Sequence, residues 1–300
     1  NEGVSVLMGA YQSSVTKTST QAAERFKTPY MVIISIADEI TERNMDYVFR
    51  PTQKASHQSS AMVKFLNKMG EETDDKINTV AMVYENTDWG QASSKVWEKW
   101  CKKYGFKIVL DESYPHDSTD LTSLAIKLKR KSPDAVLNVS YISDMILLTK
   151  AISNVRFNPM AWICGGGGEL DPKYIEAVGG KANYLYTVTP WQYDLVKTKP
   201  WIKKVNKNFK KMTGNDLSTV SAMTYSNMYT LKEVLEKAGS RKKDQIKKAF
   251  NNIVIKKGKA MMLPFAKIDF NEDGQNPHQQ MLISQFLNKE LRVVHPEEFS

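Results

Sequence analysis

Short, nearly continuous apolar runs alternate with stretches whose apolar residues recur at helical spacing over much of the chain. Val4 to Gly9, Met31 to Ile36, Ile77 to Tyr84, Phe106 to Leu110, Ala135 to Ser140, Met160 to Cys164 and Tyr184 to Thr189 predict strands. Between them, helical stripes run through Ala22, Ala23 and Phe26, through Gln58, Met62, Phe65, Leu66 and Met69, and through Val96, Trp97, Trp100 and Tyr104. Two more follow, through Leu121, Leu124, Ala125 and Leu128 and through Leu148, Ile152 and Val155. A strand buried on both sides has no polar face to present, so this alternation predicts an α/β fold with parallel sheets covered on both faces. Beyond Tyr193 helices dominate, one from Trp201, a long one carrying Ala222, Tyr225, Tyr229, Leu235 and Ala238, and a Lys-rich one from Arg241 to Phe250. Phe265 to Phe270, Met281 to Phe286 and Leu291 to Val294 alternate more and predict sheet edges or crossovers. No fixed-period repeat occurs, which excludes a solenoid.

Composition narrows the picture in three places. The 300 residues are 41% hydrophobic and 25% charged, a globular profile with room for one large or two medium domains. No window is apolar enough to span a membrane, and no charged segment followed by an apolar one marks a secretion signal, so any signal is expected to have been removed. The net charge of +9 could attract nucleic acid or anionic lipid. Its lysines, however, cluster on helices, as at Lys203, Lys204, Lys207, Lys210 and Lys211 opposite Trp201, Val205, Phe209 and Met212. That is the pattern of a solvated face, and no nucleic-acid-binding motif accompanies it. The only cysteines, Cys101 and Cys164, exclude a disulfide framework. A single bridge is conceivable, but Cys101 lies on an apolar helix stripe, which favours two buried thiols.

In open α/β sheets the ligand crevice lies beyond the carboxyl ends of the strands. Ser13 and Ser14 follow the first strand, where they either cap the next helix or, with its free N–H groups, receive a carboxylate. Ala37, Asp38 and Glu39 follow the second, Trp89 the third, Tyr141 the Ala135 strand, the run Gly165 to Gly168 with Glu169 the Met160 strand, and Trp191 and Tyr193 the Tyr184 strand. Hydroxyls, a helix terminus, acids and aromatic walls are the set that suits a zwitterion with an apolar side chain. The bland alternatives are a helix cap for the serines, loop anchors for Trp89 and Tyr141, a flexible turn for the glycines, and solvated carboxylates for Glu39 and Glu169 rather than ammonium partners. The glycine run lacks the Lys-Ser or Lys-Thr of a phosphate loop. HExxH, GxSxG and GxGxxG are absent, and His57, His116, His278 and His295 show no ligand spacing, so neither catalysis, nor a metal, nor a cofactor is expected.

Four stretches, taken in order along nearly the whole chain, resemble one family. They are VLMGAYQSSVT, DYVFRPT, YENTDWGQ with YGFKIVLDESYPHDSTDLTSL, and FAKIDFNEDGQN with VVHPEEF. The family is the type I periplasmic solute-binding proteins of ABC transporters, of the branched-chain amino-acid (Leu/Ile/Val-binding) kind. The resemblance implies two doubly wound lobes joined by three crossover segments, with residues 1–52 and 191–267 in the first lobe and 53–190 and 268–300 in the second. It implies a small amino-acid-like ligand held by hinge closure near Pro51 to Ala55, Pro190 to Asp194 and Ala266 to Phe270, no enzymatic activity, and a permease as partner. The location it implies is periplasmic or cell-surface, with membrane attachment only through a removed signal or a lipid anchor.

Ser13 matches the family's carboxylate-binding serine, Ala37 its backbone contributor, and Tyr141, Tyr193 and the adjacent Trp191 its second-lobe aromatics. Asp38 and Glu39 stand where Thr or Ser is usual, which leaves the ligand open to aromatic acids, amides or urea-like solutes. A sensor clamp of a receptor or an amide-responsive regulator is the alternative use of the same frame. Family members also carry about two strand–helix units upstream of the Val4 strand; the expectation is that these were lost or cleaved, or that another chain fills the gap.

Overall fold

The computed structural model describes residues 3–73 and 76–300. The chain divides into two compact units, residues 3–54 with 195–280 and residues 55–194 with 281–300. It therefore passes between them three times, after Lys54, Asp194 and Gln280.

In the first unit, β1 (Leu7–Gly9), β2 (Tyr30–Val32) and β3 (Val48–Phe49) form a parallel sheet in the order β1-β2-β3. The helix α1 (Ser13–Arg25) connects β1 to β2. Three short strands suffice because the sheet centre is wholly apolar: Met31, Val32 and Val48 are fully buried. Phe49 stacks on Phe250 with ring centres 4.3 Å apart, and Phe270 meets both rings edge-on.

The segment Phe265 to Phe270, expected as a strand, is extended but pairs only through a single bridge between Ile255 and Ile268. Its outward residues are drawn into local ion pairs instead, Lys267 and His278 both holding Asp269. Residues 268–280 stay with the first unit, not the second, because Gln275 bridges Arg50 and the Asn276 side chain donates to the Pro51 carbonyl at 3.0 Å.

The second unit begins with α2 (Ala55–Glu72), β4 (Thr79–Glu85), α3 (Asp88–Tyr104), β5 (Lys107–Tyr114), α4 (Thr122–Lys131) and β6 (Ala135–Val139). It continues with α5 (Ile142–Asn154), β7 (Ala161–Cys164), α6 (Pro172–Val178) and β8 (Tyr186–Thr189). In the first unit follow α7 (Ile202–Thr213), α8 (Thr219–Ala238) and α9 (Lys243–Asn252), and the chain then returns to the second unit as β9 (Leu282–Leu287) and β10 (Glu290–His295).

The second unit's sheet runs β10-β9-β8-β7-β6-β4-β5. Pairing is parallel from β5 to β8, while β9 and β10 close the other edge antiparallel. Side-chain alternation assigns the two faces. Ala81, Val83 and Val136 pack on Leu124, Leu128, Leu148 and Ile152 of α4 and α5. Tyr84, of the opposite parity, meets Trp97 of α3, whose indole N–H points at the Met62 sulfur 3.3 Å away in α2.

Cys101 and Cys164 are free and buried, and burial pushes the Cys101 thiol up to about 12. On α7 the lysines are exposed as expected, but of the apolar stripe only Ile202 is buried. Trp201, Val205, Phe209 and Met212 instead line an open groove of 690 Å³ with Tyr225 and Tyr229 of α8.

Candidate functional site

In the first unit the candidate residues gather where β1 and β2 end. Ser13 opens α1 without capping it: Gln12 holds the cap position, and the buried Ser13 hydroxyl accepts from the Ala37 N–H at 3.2 Å. Ser14 is half-buried, and its hydroxyl makes no hydrogen bond among the described residues. The N–H groups of Ser13, Ser14 and Val15 make no hydrogen bond among the described residues, as the first turn of any helix leaves its donors open.

A polar lock fixes the loop beneath. Ser35, buried at the end of the β2 segment, donates to the Ala10 carbonyl at 2.8 Å and bonds the Thr16 hydroxyl, which in turn accepts from the Ala10 N–H at 3.2 Å. Asp38 and Glu39 begin a short 3-10 turn. The Glu39 carboxylate is exposed and pairs with Lys17 at 2.6 Å, so here it faces the flank of α1.

Arg50 was not singled out as a site residue, although it directly follows the apolar run Tyr47, Val48 and Phe49. It is fully buried and donates to four acceptors: Gln275 Oε1 at 2.6 Å, the Ser35 carbonyl at 3.3 Å, the Ala37 carbonyl at 2.9 Å and Thr41 Oγ1 at 2.8 Å. Burial lowers its pKa to about 10, and the guanidinium remains charged at neutral pH.

In the second unit a corresponding rim is built at the ends of β4, β6, β7 and β8. Trp89, in the first turn of α3, is buried and packs against Tyr141 with ring centres 5.1 Å apart. His116 also meets Tyr141 edge-on, with ring centres 5.9 Å apart. The N-terminus of α3 differs from that of α1, because the Glu85 carboxylate already occupies it. Glu85 accepts from Thr87 N–H at 2.6 Å, Thr87 Oγ1 at 2.9 Å and Gly90 N–H at 2.7 Å.

The glycine run is no loose turn. A Cβ on Gly167 would lie 2.4 Å from the Ser140 carbonyl and from the Trp89 ring, and one on Gly168 would lie 2.3 Å from the Tyr141 carbonyl. Gly166 adopts φ +65° and would meet the Val188 carbonyl at 2.5 Å. Only hydrogen at these positions lets the loop pass beneath Trp89 and Tyr141.

Glu169, considered as an ammonium partner, is turned inward: it accepts from Thr187 Oγ1 at 2.6 Å and from its own loop's Gly167 N–H at 3.1 Å. Burial raises its pKa, and these donors oppose the shift. Trp191 is buried, with its N–H and carbonyl both bonded to Thr189 Oγ1, whereas Tyr193 is exposed.

A second layer went unread in the sequence. Tyr114 bonds Ser140 and donates to Asp144 Oδ2 at 3.0 Å, while Asn138 donates to Ser140 Oγ at 3.0 Å. Asp144 Oδ1 is buried with no hydrogen-bond partner among the described residues. The signal available was an acid directly before the apolar run Met145 to Leu148, on the stripe that α5 buries.

Desolvation raises the Asp144 carboxyl to about 6, opposed by the Tyr114 bond and reinforced by the charge of Glu85. An acid whose folded pKa lies above its unfolded value binds more protons when folded. Its unfavourable contribution is absent below the unfolded pKa, grows between the two values and is complete above about 6. Asp144→Asn, which keeps an acceptor for Tyr114, is expected to exceed the wild type in stability by about 2 kcal/mol at pH 8, with the gap closing near pH 4. Urea denaturation at the two pH values checks this, and a gap independent of pH would contradict it.

Two α/β units on one chain, crossed three times and each carrying a rim of polar or aromatic residues at its strand ends, have the architecture of the type I periplasmic binding fold. The chain belongs to the periplasmic binding protein family, whose family model matches residues 1–290. It is similar to the Leu/Ile/Val-binding protein homolog 7 of Brucella abortus (strain 2308), at 28% identity over 305 residues, covering 99% of this chain and 75% of that protein.

Among solved structures it resembles the leucine binding protein LivK of Thermotoga maritima, with a TM-score of 0.85, 19% identity, and coverage of 98% of this chain and 79% of that one. It resembles the branched-chain amino acid transporter substrate binding protein LivJ of Streptococcus pneumoniae, solved with isoleucine, with a TM-score of 0.82, 19% identity, and coverage of 98% and 80%. A third is a solute binding protein of an ABC transporter from Rhodopseudomonas palustris, solved with 3,4-dihydroxy benzoic acid, with a TM-score of 0.81, 18% identity, and coverage of 97% and 77%. Among the described residues no helix is long and apolar enough to cross a membrane, and no group of His, Cys, Asp and Glu could hold a metal ion.

Proposed function

We propose that this chain is the extracytoplasmic solute-binding component of an ABC importer, that it catalyses no reaction, and that its ligand is a small amino acid of the branched-chain type. The observation that carries the reading is the open first turn of α1: three N–H groups and the Ser14 hydroxyl, none of them hydrogen-bonded among the described residues, suit a carboxylate. The aromatic pair Trp89 and Tyr141 suits an apolar side chain. Family membership and the similarity to a Leu/Ile/Val-binding homologue agree with both.

In this mechanism the α1 rim takes the carboxylate, the Tyr141 rim takes the rest of the ligand, and contacts from both units stabilise one closed arrangement through their differential affinity. Closure then offers the permease a docking form. Tyr193, exposed beside the second crossing, serves as a further aromatic contact. The Trp89, Tyr141 and His116 cluster favours one other reading, an aromatic acid in place of an aliphatic amino acid.

Isothermal titration with leucine, isoleucine, valine and benzoate tests the proposal. Saturable binding of one aliphatic amino acid per chain is expected. Benzoate binding alone would replace the ligand class, and no heat from any of the four would refute the reading.

A further inference from the structure

The four acceptors of Arg50 come from three places in the first unit. Ser35 and Ala37 belong to the loop that forms the candidate rim, Thr41 follows the 3-10 turn of Asp38 and Glu39, and Gln275 belongs to the returning segment. Ala37 stands at the centre of a relay: its carbonyl accepts from Arg50 and its N–H donates to Ser13, the first residue of α1. Gln275 carries the connection further, its amide donating to the Thr52 carbonyl at 2.7 Å and the Asn276 carbonyl at 2.8 Å. The backbone of Arg50 itself is clamped between the Gly274 carbonyl and the Asn276 N–H.

Among the described residues no carboxylate is hydrogen-bonded to the guanidinium; Asp38 and Glu42 act on it as neighbouring charges. A lone buried cation satisfied by neutral acceptors is costly to keep. Apolar packing of Phe49 and its neighbours would stabilise the unit without it, so a role beyond packing is indicated.

Resting on the solute-binding reading above, we propose that Arg50 is a positioning residue for ligand recognition: its planar fork sets the Ser35 to Ala37 loop, and through Ala37 the Ser13 end of α1, in the geometry that receives the ligand. The fork is the operative feature, because a lysine can carry the charge but cannot hold separated acceptors in one plane.

The test compares Arg50→Lys and Thr41→Val with the wild type, using the ligand found by the four-compound titration, at a temperature where circular dichroism shows each variant fully folded. Arg50→Lys is expected to weaken binding at least tenfold and Thr41→Val by about threefold to tenfold, as loss of bonds to a charged donor implies. Hydrogen exchange is expected to speed up at the amides of residues 36–38 in both variants, a readout that a residue of merely structural importance would not move selectively. Unchanged affinity in both folded variants, or unchanged exchange at those amides, overturns the inference while leaving the solute-binding reading intact. A wild type that binds none of the four compounds overturns both. Should Arg50→Lys fail to fold, Thr41→Val decides alone.

Discussion

Gly168→Ala is expected to lose at least about 3 kcal/mol of stability, since the new methyl would sit 2.3 Å from the Tyr141 carbonyl and 2.6 Å from the Ile142 Cα. All the atoms it meets are backbone, so no side chain can swing aside. The start of α5 must shift, taking Tyr141 with it, and ligand affinity is expected to fall along with the unfolding midpoint. Gly180→Ala is the matched control: its nearest neighbour lies 4.0 Å away, and a change within about 0.5 kcal/mol is expected. Guanidinium denaturation of the two variants checks the pair, and equal midpoints would mean that the loop yields more easily than its packing implies.

The second large effect falls on Glu169. Removing its carboxylate in Glu169→Ala leaves the Thr187 hydroxyl and the Gly167 N–H buried without acceptors, at an expected cost of about 2 to 4 kcal/mol. Glu169→Gln retains an acceptor and is expected to lose less than half as much. Were Glu169 a direct ammonium partner instead, both variants would fold with near wild-type stability and lose ligand binding. Denaturation and titration on the same two proteins separate these outcomes.

Glu169 also illustrates what a sequence can and cannot convey. An acid directly after a strand and a glycine run lies where ligands bind in α/β proteins, and this placement was readable. Whether its carboxylate points outward or folds under its own loop depends on Thr187, which arrives from β8, 18 residues further along the chain. The same holds for Arg50 and Gln275, separated by most of the chain yet joined by a 2.6 Å bond.

The elements themselves were mostly legible, because strands such as Ala135 to Val139 are buried at every position and α4 buries Leu124, Ala125 and Leu128 at helical spacing. Two departures have local causes. The α6 helix buries only Tyr174 and Val178 and so carries little periodicity; its cue was Asp171 before Pro172, where the Asp171 side chain accepts from Lys173 N–H at 2.9 Å. The alternation of Phe265 to Phe270 mimics a strand, but beyond the single bridge at Ile268 its polar residues are held by each other and by His278.

The proposed function requires one ligand to be held by residues of both units. Affinity of that ligand for Ser14→Ala and for Tyr141→Ala, each measured by titration on the folded protein, addresses this directly. Loss of one hydroxyl at the α1 rim is expected to weaken binding by about fivefold, and loss of the aromatic ring in the other unit by at least about tenfold. Full wild-type affinity in either variant, with clear loss in the other, would place the ligand on a single unit and contradict the account.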